Sequence, residues 1–252
     1  MISLKKIRVG AVSYLNTKPL IYGFEQGMMS DKVDLIMDYP SHIAAMLVND
    51  EIDAGLVPVT IISELQEHYL ISDFCIACDG EVGSVGLFSD VPLSKIKKIL
   101  LDYQSHASVE LLKILINEHW EIDPLIEMTS DNYLSEIKGT TAGLVIGDRA
   151  FEQRKISEYF FDLGLEWKKF TGLPFVFAAW ISNKKMDKSF IESFDKANLA
   201  GLQNIDEIVA KNPFDLFDLK AYYSSYIHYR LDDNKKRGMN FFLNKSSAKV
   251  LS

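Results

Sequence analysis

The sequence predicts an α/β protein of two lobes, the first of them discontinuous along the chain. Short apolar runs alternate with amphipathic helical patterns through all 252 residues, the rhythm of strands and helices packed in layers. No Gly/Pro-rich linker, low-complexity tract or internal repeat interrupts them. Two lobes must then be joined by strands that run from one into the other. Three strand-to-helix junctions also repeat one design, an apolar run that ends in polar side chains and then opens a helix.

Taken in order, the strand candidates are Ile7–Val12, Val33–Asp38, Ala54–Pro58, Ser84–Ser89, Lys98–Asp102, Leu144–Gly147 and Phe175–Ser182. Helical periodicity covers His42–Asn49, Ser105–Glu118 and Met186–Lys211, the last with a possible break. Candidate crossovers are Leu87–Pro92 and Pro174–Ala179. They divide the chain into a discontinuous first lobe, 1–88 with 180–252, and a second lobe, 89–179.

A chain of this length buries a substantial core. Its net charge of -8 disfavours a broad nucleic-acid footprint, which needs clustered Lys and Arg. The one basic run, Lys235-Lys236-Arg237, reads as a solvated face, as do Asp187 and Asp232-Asp233. No segment reaches the ~18 apolar residues of a membrane helix. The N-terminal apolar run breaks at Ser13 and Asn16 and lacks a small-residue cleavage pattern, so the expectation is no signal peptide and a cytoplasmic protein. The two cysteines form one C-x-x-C, Cys75 and Cys78, in a β-like run without a nearby His. Reduced cysteines packed in or beside a strand are expected, not a zinc site.

The three junctions are the informative part. "VSYLNTKPL" ends the first strand in Ser13, Tyr14 and Asn16, with Pro19 at a plausible first helical position. "DYPSHIAAMLVND" places Ser41 as a candidate N-cap, and "LDYQSHASVELLKIL" opens a helix across Ser105 and Ser108. Strand ends feeding helix N-termini are where open α/β sheets bind ligands, and the exposed N–H groups there favour anions. Each Ser could simply be a cap; together they indicate a site for a carboxylate-bearing ligand.

Other chemistry is missing. There is no G-x-G-x-x-G, no P-loop, no H-E-x-x-H and no G-x-S-x-G. The five histidines lack metal-ligand spacing. No metal site is expected.

The ordered motifs "VSYLNTKPL", "DAGLVPV", "IACDGEVGSVGLFS", "LDYQSHASVELLKIL", "LVIGDRA" and "DLGLEWKKFTGLPFVFAAW" resemble the chorismate dehydratase family of the futalosine route to menaquinone. The likeness runs from about Ile7 to Phe242. It implies a type II periplasmic-binding-protein-like fold with a ligand cleft between the lobes. It also implies a lyase that converts chorismate to 3-[(1-carboxyvinyl)oxy]benzoate and water without a cofactor. Asn16 and Ser84 match the positions of catalytic residues, with hydrogen-bonding roles because an amide and a hydroxyl are poor general bases. Ser13, Tyr14, Ser41, Ser105, Ser108 and Asp148 are the expected substrate-binding set. The proton acceptor stays open between the substrate's enolpyruvyl carboxylate, Asp148 and His106.

The chain departs from the family pattern at two places. His106-Ala107 stand where an Arg-Thr pair is expected, and Arg149 stands where an acidic residue is common. The alternatives are a non-catalytic small-carboxylate binding protein of the same fold, or the sister 1,4-dihydroxy-6-naphthoate synthase, which the first motif disfavours. No nucleic-acid or membrane partner is expected, and the oligomeric state is open between monomer and homodimer.

Overall fold

The structure is a computed structural model that describes residues 6–130 and 132–250. Its strands are β1 (Ile7–Val12), β2 (Val33–Asp38), β3 (Ala54–Pro58), β4 (Tyr69–Cys78), β5 (Val85–Ser89) and β6 (Lys98–Leu101). They continue with β7 (Leu125–Met128), β8 (Thr141–Ile146), β9 (Tyr159–Asp162), β10 (Phe175–Ser182) and β11 (His228–Arg230). The α-helices are α1 (Lys18–Glu25), α2 (Pro40–Val48), α3 (His106–Leu115), α4 (Arg149–Gln153) and α5 (Leu163–Thr171). After them come α6 (Lys188–Leu202), α7 (Ile205–Lys211), α8 (Leu219–Ala221) and α9 (Asp233–Val250). Among the described residues, no helix is long and apolar enough to cross a membrane.

The chain divides into two compact units. The first takes the chain through Ile76 and then Val176–Asp232; the second takes Ala77–Phe175 and the chain from Asp233 onward. The expected boundaries are therefore displaced. The first passage between units falls inside β4, not at Leu87–Pro92, because β5 is paired on both sides within the second sheet, to β8 and to β9. The second passage, after Phe175, lies within the expected Pro174–Ala179, and a third follows Asp232. The C-terminal helix leaves the first lobe, to which 180–252 was assigned, because Phe242 packs on Trp167 and Phe175 of the second unit.

The first unit is built on a six-stranded sheet in the order β11-β4-β10-β3-β1-β2. β1 runs parallel to β2 and β3, and β10 is antiparallel to β3. β3 and β10 are buried along their whole length. A strand covered on both faces reads as a continuous apolar run, which is what made these two legible. On the sheet, Trp180 donates its indole N–H to the buried Asn198 Oδ1 at 2.8 Å. Its ring packs with Phe24 of α1 and Phe194 of α6. α1 and α6 approach through glycines: a Cβ on Gly23 would overlap the carbonyl of Ala197, and one on Gly201 that of Pro19.

Asp53, just before β3, accepts from the Arg8 backbone N–H at 2.8 Å, from Arg8 Nη2 at 2.9 Å and from Lys184 Nζ at 2.6 Å. Burial works against its charge, but the Arg8 and Lys184 contacts outweigh it and hold the carboxyl well below the usual range. A depressed folded-state value stabilises the protein above the unfolded pKa of about 3.9, and that stabilisation is lost as pH falls through the folded value. Asp53→Asn is thus expected to be less stable than the parent near neutrality, with the gap closing in acid. Urea melts of both proteins from about pH 7 down to about pH 2 measure this; a gap independent of pH would contradict it.

The second unit holds a five-stranded sheet, β7-β6-β8-β5-β9. β6 is parallel to β7 and β8, whereas β5 is antiparallel to β8 and β9. Several element ends differ from expectation for local reasons. Gly83 at φ +77° turns the chain, so the strand expected from Ser84 begins at Val85. Gly147 at φ +65° ends β8, so the strand expected over Leu144–Gly147 stops at Ile146, and it starts three residues earlier than expected, at Thr141. The helix expected to reach Glu118 stops at Leu115 and continues as a π turn, Ile116–Trp120. Met186–Lys211 is two helices that meet at Asn204. Both cysteines are buried and unbridged in β4. The basic run lies on α9 with Lys235 buried, so it is not wholly a solvated face.

Candidate active site

In the first unit β1, β2 and β3 are parallel, so their carboxyl ends share one edge of the sheet. Val12 and Asp38 are register partners there, and the Ser13 N–H extends the pairing to the Asp38 carbonyl at 2.9 Å. The chain then makes a single 3-10 turn, Leu15–Thr17, before α1. Ser13 is exposed and Tyr14 half-buried, while Asn16 and Thr17 are buried.

Asn16 is held by three groups: Tyr229 Oη donates to its backbone carbonyl at 2.9 Å, and Thr17 Oγ1 donates to its Oδ1 at 3.3 Å. The third is the turn itself, closed by the Thr17 N–H on the Tyr14 carbonyl at 3.1 Å. Among the described residues no hydrogen bond uses Asn16 Nδ2. With its acceptor occupied and its backbone clamped, this carboxamide is arranged to donate.

Ser41 is not an N-cap. The residue before a proline is driven to extended backbone, and Pro40 suits the first helical position, so the cap falls on Tyr39 at ψ 158° with no side-chain cap bond. Ser41 lies inside α2 and is half-buried. Its neighbour His42 is the polar group that the reading of this junction missed. His42 Nδ1 is 2.6 Å from Asp38 Oδ2, and the Tyr39 N–H donates to Asp38 Oδ1 at 2.8 Å. Burial raises the Asp38 carboxyl, but these two bonds prevail and hold it below the usual range. The Asp-to-His spacing across the junction was the available signal.

The second unit gathers its own set at one sheet end. Since β5 is antiparallel to β8 and β8 parallel to β6, Ser84, the Gly147–Asp148 turn and the segment after β6 all lie together. Ser84 is fully buried, and its carbonyl accepts from the Gly147 N–H at 2.9 Å. Asp148 occupies the N-cap position of α4, half-buried, without a side-chain cap bond. His106, the first residue of α3, is exposed.

Ser105 is the expected N-cap of α3. Its Oγ accepts from the Ser108 N–H at 3.3 Å, and the two hydroxyls are 3.1 Å apart. Both side chains are buried at the positive end of a helix macrodipole. Ser105→Ala is expected to cost about 1 kcal/mol of stability as a lost cap, seen in a urea melt.

The segment that carries Ser105 is anchored by Asp102, whose side chain is fully buried. Its carboxylate accepts from the Gln104 N–H at 2.9 Å, from Arg149 Nη2 at 2.7 Å and from Tyr133 Oη at 2.8 Å. Arg149 Nη2 also donates to Gln104 Oε1 at 2.8 Å. Arg149 is thus directed at Asp102 and Gln104, bringing the start of α4 against the loop before α3. Burial, with Asp102 beside it, raises Tyr133 far above the ordinary phenol value, so it stays protonated. A cavity of about 440 Å³ opens beside this network, lined by Tyr103, Gln104, Asn132, Leu134 and Ser135 together with Tyr133 and Arg149.

The structure therefore brings Ser13, Tyr14, Asn16 and Ser41 to one edge of the first unit. It brings Ser84, Ser105, Ser108 and Asp148 to one end of the second. Among the described residues, no group of three or more His, Cys, Asp or Glu is placed to hold a metal ion.

Residues 7–248 match the sequence pattern of a family described as menaquinone biosynthesis. The chain belongs to that menaquinone biosynthesis family. Among its relatives is a chorismate dehydratase of Thermus thermophilus, 25% identical over 261 residues, covering 93% of each chain. A second chorismate dehydratase, from Campylobacter jejuni, is 24% identical over 166 residues, covering 64% of this family member and 74% of the relative.

Among solved structures, protein AF1704 of Archaeoglobus fulgidus superposes with a TM-score of 0.78 at 17% identity, covering 98% of each chain. The periplasmic aliphatic sulphonate binding protein SsuA of Escherichia coli gives 0.62 at 12% identity, covering 99% of this chain and 94% of its own. A Candida albicans protein described as having the generic periplasmic binding protein fold gives 0.61 at 13% identity, covering 97% and 91%. These likenesses establish the fold of this family member as that of the periplasmic binding proteins.

Proposed function

We propose that this chain is a chorismate dehydratase, a hydro-lyase of the futalosine route to menaquinone that works in the cytoplasm. The end-to-end likeness to a chorismate dehydratase carries the reading, and the two polar strand-end sets supply groups suited to the chemistry. Chorismate loses its ring hydroxyl and the proton on the neighbouring ether-bearing carbon, leaving an aromatic ring and one water. Aromatisation drives the step and no electrons are gained or lost, so the chain has to bind, orient and stabilise charge.

The Asn16 carboxamide donates to the departing hydroxyl, where negative charge develops. Ser84 orients the ring. The α3 N-terminus with Ser105 and Ser108 takes a carboxylate, and Ser13, Tyr14 and Ser41 complete the substrate-binding set. The ring proton goes to the substrate's own enolpyruvyl carboxylate, with Asp148 and the exposed His106 as the protein alternatives. Loss of turnover with intact binding in both Asp148→Asn and His106→Ala would overturn the substrate-base assignment.

The direct test incubates purified protein with chorismate and follows 3-[(1-carboxyvinyl)oxy]benzoate by absorbance and mass. An unchanged chorismate pool at high protein concentration would overturn the reading. Tight binding of chorismate without conversion would support the alternative, a binding protein of this fold.

A further inference from the structure

We propose that Asp162 is the positioning residue for Ser84, acting through the backbone of the turn that presents it; the proposal rests on Ser84 having the role just described. Asp162 ends β9 and is buried, 6% exposed. Its Oδ2 accepts from the Gly83 N–H at 2.7 Å, and both carboxylate oxygens lie 3.1 Å from the Val82 nitrogen. Its Oδ1 accepts from the Leu165 N–H at 3.0 Å, which makes the same carboxylate the N-cap of α5. One side chain thus ties a helix start to a tight turn far away in sequence.

The turn needs that hold. Gly83 sits at φ +77°, a left-handed conformation that costs glycine little but gives the segment no preference for it in isolation. Two further contacts complete the clamp. Arg154 Nη1 donates to the Gly83 carbonyl at 3.2 Å, and the Gly147 N–H donates to the Ser84 carbonyl at 2.9 Å. Among the described residues Asp162 alone engages the two N–H groups that precede Ser84, and a carboxylate is the group that accepts several N–H bonds at once. β9 brings it there because Asp162 is the register partner of Gly86 on β5, two residues beyond Ser84.

Asp162→Ser separates the two jobs. Serine is a good N-cap and keeps an acceptor for Leu165, but its single hydroxyl is too short to span to the Val82–Gly83 turn. In this variant, hydrogen exchange at the Val82 and Gly83 amides is expected to accelerate while the amides of α5 stay protected. With chorismate, kcat is expected to fall about 10²-fold, the scale for a misplaced catalytic donor, with KM changed less than about threefold. Asp162→Asn, which keeps one carbonyl oxygen, should lie between the two in both readouts and serves if the Ser variant does not fold.

Unchanged exchange at Val82 and Gly83 would overturn the hold on the turn. Faster exchange with a wild-type kcat would overturn its relevance to Ser84. Absence of chorismate turnover in the wild type would instead fail the functional reading, while the exchange result would still decide whether Asp162 holds the turn.

Discussion

Asn16→Ala is expected to lose about 10²–10³-fold in kcat, the usual consequence of deleting one hydrogen-bond donor aimed at developing charge. The substitution should leave the fold intact. The backbone carbonyl of residue 16 keeps its Tyr229 bond, and among the described residues the only side-chain hydrogen bond forfeited is the 3.3 Å one from Thr17. A change confined to kcat, with chorismate still bound, is the signature of an interaction made mainly in the transition state. Steady-state kinetics and a thermal melt of the same preparation check it. A fall in melting temperature large enough to unfold the variant, or a kcat within a few-fold of the parent, would remove Asn16 from the mechanism.

Gly201→Val is expected to be among the most destabilising single changes in the first unit, by about 3 kcal/mol in a urea melt. The obstacle to its side chain is the carbonyl of Pro19, which is backbone and cannot swing aside as a side-chain end could. α1 would have to move off α6, and α1 begins at Lys18, directly after the turn that holds Asn16. Whatever fraction remains folded should therefore also turn over more slowly than the parent. A variant as stable as the parent would mean that the two helices separate at little cost.

Much of the first unit was legible because its central strands are covered on both faces. Ala54–Pro58 and Phe175–Ser182, buried at every residue, were read with the boundaries they have, as were Ile7–Val12 and the edge strand Val33–Asp38, which is half-exposed or exposed after Val33. The strands missed as named elements are of another kind. β7 is exposed at all four residues, β9 is mostly half-exposed and β11 spans three residues, so none imposes a long apolar run or a period-two pattern. β4 was seen only as a β-like run at the cysteines, although it is the strand that carries the chain from the first unit into the second.

The site divides the same way. Ser105 was readable as a cap because its partner, Ser108, lies three residues on, inside one local motif. Ser41 was misread because a proline one residue earlier moves the cap back to Tyr39, a local rule that outranks the preference for serine. Asp102, Arg149 and Asp162 could not be read as a framework. Arg149 meets Asp102 across 47 positions, and Asp162 meets Val82 across 80, distances that only the pairing of β5, β6, β8 and β9 closes. The candidate site residues at strand ends announced themselves by being polar where a core would want apolar side chains. The buried carboxylates that bind the neighbouring backbone looked like any other Asp.

The central claim is most directly tested by a single-turnover experiment with protein in excess over chorismate, run side by side for the parent and Asn16→Ala and read by mass spectrometry. The parent should convert the chorismate to a product lighter by one water and carrying an aromatic ring, while the variant leaves it intact and bound. Unaltered chorismate with the parent protein, or conversion at equal rates by both, would contradict the account.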